Sequence, residues 1–218
     1  MDAAEAAGYL HWPEEALTEE TLDLLRKIGG KLEREAEPRL VYRIFDRTED
    51  GCEGLCLPGE DIRTLLGDAK RVIVAACTLG EAASRFIRRA FLTDMARGVM
   101  ADACASALAD GEMARFERDM ARRFFPQGLY LTDRFSPGYG DLPLTVQKDL
   151  CALLDTERNL GLTVNKSMML VPEKSVTAVM GICPVPQKHR AVNEKSGCAS
   201  CAAHENCVFL RGGRTCHG

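Results

Sequence analysis

The sequence has no apolar run long enough to cross a bilayer. The longest, Val72-Ile-Val-Ala-Ala-Cys77, falls far short of the roughly 20 residues that a membrane helix needs. It also lacks a basic excess. Lys and Arg number 28 and Asp and Glu 32, a net charge of -4, which argues against a protein that coats nucleic acid. The opening Met1-Asp-Ala-Ala-Glu5 is acidic with no apolar stretch behind it, so no signal peptide is expected. There is no internal repeat and no low-complexity tract. The expectation is a soluble cytoplasmic protein without a membrane or nucleic-acid partner. At 218 residues it has room for one full domain, or one domain with an appendage.

Cysteine, by contrast, is abundant, and its placement says more than its number. Of 10 cysteines, Cys198, Cys201, Cys207 and Cys216 fall within the C-terminal tail. Clustered cysteines in a cytosolic chain read first as metal ligands or redox thiols.

Residues 17–37 read as a helix, with Thr18 as N-cap and Leu22, Leu25, Ile28 and Leu32 on one face. Val41–Phe45 alternates and reads as a strand. Residues 51–60 read as a loop and Glu60–Leu66 as a short helix. Arg71–Ala76 has the continuous apolar character of a strand covered on both faces. Residues 80–124 read as helix interrupted at Gly98 and Gly111. Met113, Phe116, Met120 and Phe124 form one apolar stripe, Met100, Cys104 and Ala107 another, and core packing is the expected role of both. The arginines of this stretch alternate with acids, as on a solvated face. A helix is expected to start at Asp141 or Pro143, with Val146, Leu150, Leu153 and Leu154 on one side. Three short strands follow, around Thr163, Met168–Val171 and Val176–Met180. Helices and strands do not alternate regularly, so the expected class is α+β.

The loop Arg134-Phe-Ser-Pro-Gly-Tyr-Gly-Asp141 is the most unusual segment. Pro137 fixes φ, while Gly138 and Gly140 permit backbone shapes that other residues resist. Two glycines around an aromatic let main chain approach a flat ligand. Arg134 has the donor fork that reads a carboxylate.

This loop resembles the Arg-x-x-x-Gly-Tyr motif of the activation (reactivation) domain of cobalamin-dependent methionine synthase. Val41-Tyr-Arg-Ile-Phe45, Thr78-Leu-Gly80, Asp102-Ala-Cys-Ala-Ser-Ala107 and Ser167-Met-Met-Leu-Val-Pro-Glu-Lys-Ser175 resemble that family in order and spacing. The resemblance spans about residues 9–182 and implies a curved antiparallel sheet with helices. It also implies binding of S-adenosylmethionine (SAM). Arg134 would hold the SAM carboxylate, Ser136 and Gly138 would offer main-chain contacts, and Tyr139 would sit at the mouth of the site. Asp110 stands where the family usually has Glu, one methylene longer.

The implied activity is reductive methylation of inactive cob(II)alamin, with no general base required. No cobalamin module is present, so the implied partners are a separate corrinoid-binding methyltransferase subunit and an electron donor such as flavodoxin or ferredoxin. This chain would then be one component of a methyltransferase system, with little turnover alone.

The resemblance lapses after residue 182, where the family carries a further tyrosine-containing segment. The expected division is therefore 1–182, a SAM-binding domain, and 183–218, a linker with a cysteine-rich tail. Cys198, Cys201, Cys207 and Cys216 are candidate ligands for zinc or an iron–sulfur cluster. Their spacing is neither a standard zinc ribbon nor a standard ferredoxin run. The competing reading is a cysteine-cluster protein that reduces or docks a corrinoid partner without using SAM.

Overall fold

The structure, a computed structural model, describes residues 2–10 and 18–186. In chain order the elements are α1 (Ala3–Leu10), α2 (Glu19–Glu35), β1 (Arg39–Thr48), β2 (Gly51–Cys52), β3 (Leu55–Cys56), α3 (Glu60–Leu66), β4 (Arg71–Thr78), α4 (Gly80–Thr93) and α5 (Met95–Phe124). A short 3-10 turn, Phe125–Gln127, is followed by β5 (Tyr130–Leu131), α6 (Val146–Leu154), α7 (Thr156–Leu160), β6 (Thr163–Val164), β7 (Leu170–Val171) and β8 (Ser175–Cys183). The described residues fall into two compact units. One comprises residues up to 37 together with 81–111, the other 38–80 with 112–186.

The first unit is helical. The Thr18 hydroxyl accepts the Thr21 N–H at 3.3 Å and starts α2, with Glu19 and Glu20 in its first turn. Those acids favour the positive end of the helix dipole. Leu25, Ile28 and Leu32 are buried as their spacing requires. Between α4 and α5 the helix breaks at Asp94, not at the glycines. The Asp94 carboxylate accepts the N–H groups of Ala96 (2.8 Å) and Arg97 (3.4 Å), so it caps a new helix. Gly98 and Gly111 both lie inside α5. Gly98 is there for packing: a Cβ on it would lie 2.2 Å from Cδ1 of Phe91.

The second unit is a six-stranded antiparallel sheet in the order β3-β2-β1-β4-β8-β5, with helices on both sides. Its class is α+β, as expected. Strand β4 is central and runs antiparallel to both neighbours, from Arg39↔Thr78 to Asp46↔Arg71 on one side and from Arg71↔Ile182 to Thr78↔Ser175 on the other. Its side chains alternate. Val72, Val74 and Ala76 pack with residues of α3, α6 and α7, while Ile73, Ala75 and Cys77 pack against Met113, Phe116, Met120 and Phe124 of α5. The apolar run is therefore a strand covered on both faces. Such burial is worth about 1.5–3 kcal/mol per large apolar side chain.

Two other local expectations need correction. Residues 51–56 hold the β2–β3 hairpin within the expected loop. Helix α6 begins at Val146, later than Asp141 or Pro143. The Leu142 carbonyl already accepts the Gly138 N–H at 2.9 Å, and the Val146 N–H bonds Pro143 O at 3.1 Å instead. The stretch before α6 is wound as i→i−3 turns, with the N–H groups of Gln147 and Lys148 likewise bonding Leu144 O and Thr145 O.

The two α5 glycines should respond oppositely to alanine. In an open helical site Gly→Ala stabilises by roughly 0.5–1 kcal/mol. Gly111 meets no atom within 4 Å, so Gly111→Ala is expected to raise Tm. Gly98→Ala drives a methyl into Phe91 and is expected to lower it. Thermal melts of both variants check this, and a rise for Gly98→Ala contradicts the packing described.

Candidate functional site

The loop 132–142 is fixed along the outer edge of β8. The Thr132 N–H donates to Gly181 O (3.0 Å), and its hydroxyl oxygen accepts the Gly181 N–H (2.8 Å). Phe135 and Val179 exchange both backbone hydrogen bonds, at 2.9 and 2.8 Å. The segment therefore continues the sheet beyond β5 with strand alternation. Phe135 is buried with the α3, α6 and α7 core. Arg134 faces the other way and meets a helix: its Nε lies 3.7 Å from Glu117 Oε2 of α5. The Arg134 and Glu117 side chains are only 26% and 30% exposed.

Beyond Arg134 the chain turns sharply. The Ser136 hydroxyl donates to Thr177 O at 2.6 Å, and the Thr177 hydroxyl is bonded to the buried Gln147 of α6 at 2.8 Å. The Tyr139 N–H returns to Ser136 O (3.1 Å), and the Leu142 N–H to Tyr139 O (3.1 Å). Gly138 has φ +93° and Gly140 φ +51°. At Gly140 a Cβ would also fall 2.3 Å from Asp61 Oδ2, so a larger residue there would displace the Asp61 carboxylate as well as strain the backbone. The far end is tied down by Asp141, whose carboxylate accepts the N–H groups of Glu60 (2.6 Å) and Asp61 (3.2 Å) at the start of α3. A cap of this kind contributes about 0.5–2 kcal/mol. Tyr139 remains 57% exposed. The loop presents one aromatic ring and one arginine from a backbone held at both ends.

The sequence-predicted residues Arg134, Ser136, Gly138 and Tyr139 thus share one loop of the second unit. Asp110 is half-buried on α5 and belongs to the first unit. Two other segments singled out in the sequence meet each other. The Ser175 hydroxyl lies 2.8 Å from Thr78 Oγ1, which accepts the Gly80 N–H at 3.1 Å. Glu117 was not separable in sequence from the other acids of α5, and its nearness to Arg134 is a product of helix-on-sheet packing. Asp141 was visible only as part of the loop, because its partners lie some eighty residues earlier.

Two cavities of about 220 and 210 Å³ are lined by other residues, the first by Tyr9, Phe91 and Val99 and the second by Cys77, Glu112 and Arg115. Both are smaller than the roughly 300–1,000 Å³ usual for ligand pockets.

Among the described residues no three His, Cys, Asp or Glu side chains converge as metal ligands. Cys198, Cys201, Cys207 and Cys216 lie outside the described residues. Cys52 and Cys56 are both free thiols. Burial pushes the thiols of Cys52 up to about 11 and those of Cys77 and Cys104 up to about 12. Among the described residues no helix is long and apolar enough to cross a membrane.

No protein-family model and no curated protein matches the chain. A solved structure does: the MetH reactivation domain bound to AdoHcy is similar over 90% of this chain and 74% of that one, with a TM-score of 0.59 and 18% identity. This chain has the fold of that domain.

The buried thiols give a reactivity order and a pH window. Of the six described cysteines only Cys56 is exposed, so iodoacetamide followed by peptide mass mapping is expected to find Cys56 modified well before the other five. Thiols near 9 in the unfolded chain and near 11–12 in the fold leave stability intact below pH 9 and erode it from 9 to 12. Urea midpoints that stay flat across that alkaline range contradict the assignment.

Proposed function

We propose that this chain binds SAM at the loop Arg134–Gly140 and offers its methyl group to the cobalt of a corrinoid held by a separate methyltransferase, so reactivating it. The observation that carries the reading is the loop itself. An arginine, two left-handed glycines and an exposed tyrosine are held rigidly at a sheet edge, in a fold shared with a domain solved with AdoHcy bound.

Each residue has a chemical task. Arg134 forks the ligand carboxylate with paired N–H donors. The Gly138 N–H is already bonded to Leu142 O, and Ser136 O already accepts from Tyr139. Gly138 therefore turns its carbonyl oxygen rather than its N–H to the ligand, and the Ser136 carbonyl keeps a second lone pair. Tyr139, at the mouth, meets the incoming corrin face. Fixing the sulfonium methyl in line with cobalt removes a large entropic cost, so positioning replaces acid–base chemistry.

The electron balance is simple. One electron from a donor of the flavodoxin or ferredoxin kind reduces cob(II)alamin to cob(I)alamin. The cobalt then takes the methyl group from sulfur, and S-adenosylhomocysteine leaves. Cys198, Cys201, Cys207 and Cys216 would hold zinc or an iron–sulfur cluster in the tail, which elemental analysis of anaerobically purified protein tests directly.

Titration calorimetry is expected to show SAM binding, weakened at least tenfold, about 1.4 kcal/mol, by Arg134→Ala. With SAM, a low-potential reductant and a cob(II)alamin-loaded partner, methylcobalamin should accumulate only when this chain is present. A wild-type protein that binds no SAM would falsify the reading.

A further inference from the structure

We propose that Gln147 is the positioning residue of the SAM loop, tying α6 to Ser136 through Thr177 and to Gly138 through Leu144 without itself touching the ligand. The inference rests on the SAM reading, in which the carbonyl oxygens of Ser136 and Gly138 face the ligand.

Gln147 is out of character with its surroundings. Among the described residues it is the one buried polar side chain that is not a threonine. It lies in the first turn of α6, and its neighbours Val146 and Leu150 join the apolar core that also holds Phe135 and Val179. An amide taken out of water there is costly unless hydrogen bonds replace those it had. Apolar side chains of matching shape, at the amide and at its partner, would fill the space without that demand. Stability alone gives little reason for glutamine at this place.

Its bonds run toward the loop. The Gln147 Nε2 donates to Thr177 Oγ1 at 2.8 Å, and the Thr177 hydroxyl donates back to Oε1 at 3.1 Å. A reciprocal clasp in a low-dielectric core holds both side chains to one arrangement. The carbonyl of the same Thr177 accepts the Ser136 hydroxyl at 2.6 Å. The Gln147 backbone N–H donates to Leu144 O at 3.0 Å. Leu144 in turn backs Gly138, where a Cβ would lie 3.3 Å from Leu144 Cδ1. Binding groups work only when held within about 0.5 Å of their productive places, so slack in the clasp reaches the ligand through Ser136.

Calorimetry with SAM and thermal melts of the same variants test the assignment. Gln147→Met keeps the length of the side chain and loses the clasp. Thr177→Val keeps the shape and loses the hydroxyl. Each single variant leaves one buried polar partner unmatched, so each is expected to lower Tm and to weaken SAM binding about tenfold. The double variant leaves neither partner unmatched. Its Tm is expected to rise above both single variants, while SAM binding stays about tenfold weak. Thr177→Ser, which keeps the hydroxyl, is expected to bind SAM within about threefold of wild type. SAM affinity that returns together with Tm in the double variant overturns the proposal, because Gln147 then serves packing alone. Single variants that fold and bind SAM as wild type does overturn it too. If Gln147→Met does not fold, the double variant still decides between these outcomes. A wild type that binds no SAM removes the SAM reading and this inference with it, whereas full affinity in both wild type and double variant removes the inference alone.

Discussion

Strand β8 carries two obligations on one backbone. One edge bonds the sealed central strand β4 from Arg71↔Ile182 to Thr78↔Ser175. The other holds β5 and then the loop around Arg134, through Gly181, Val179 and Thr177. Because β4 is buried on both faces, its register cannot slip without turning core side chains to the wrong side. That fixes β8, and β8 fixes the loop. The placement of the arginine is thus inherited from the hydrophobic core through β4 and β8.

The same logic governs the helix opposite. Met113, Phe116, Met120 and Phe124 pin one stripe of α5 against the sheet, and the helical repeat then decides where Glu117 emerges. Two side chains from distant stretches of sequence meet without any local element built to bring them together. The other tether, Asp141 on the first turn of α3, is likewise non-local. A loop supported at the ladder, at the Ser136–Thr177–Gln147 chain and at the α3 terminus has little freedom to lose when a ligand arrives, and preorganisation of that sort is what favours tight, specific binding.

What the sequence discloses follows how local the cause is. The α3 span Glu60–Leu66, the Thr18 cap and the double-faced strand at 71–76 were readable because each depends on neighbours along the chain. The helix break was misplaced. Glycine's low propensity pointed to 98 and 111, but Asp94 capping and the Phe91 ring decided the matter. The late start of α6 follows from i→i−3 turns between Pro143 and Lys148, which no propensity encodes. Helix α1 was not anticipated. At the site, the glycine-rich loop and Arg134 stood out by composition, whereas Glu117 did not, since its distinction lies in whom it faces.

The sheet's rims have a bearing on how the molecule lives among copies of itself. Its outermost strands, β3 and β5, are two residues each. Strand β1 pairs β2 only at Arg47 and Thr48, so among the described residues its outer edge from Arg39 to Asp46 has no strand beside it; Arg39, Arg43 and Asp46 place charge along that edge, a defence of sheet proteins against edge-wise polymerisation. The long, β-prone stretches of β4 and β8 are kept in the interior of the sheet. Crowding at high concentration therefore meets, along that edge, charged side chains rather than a bare apolar ladder.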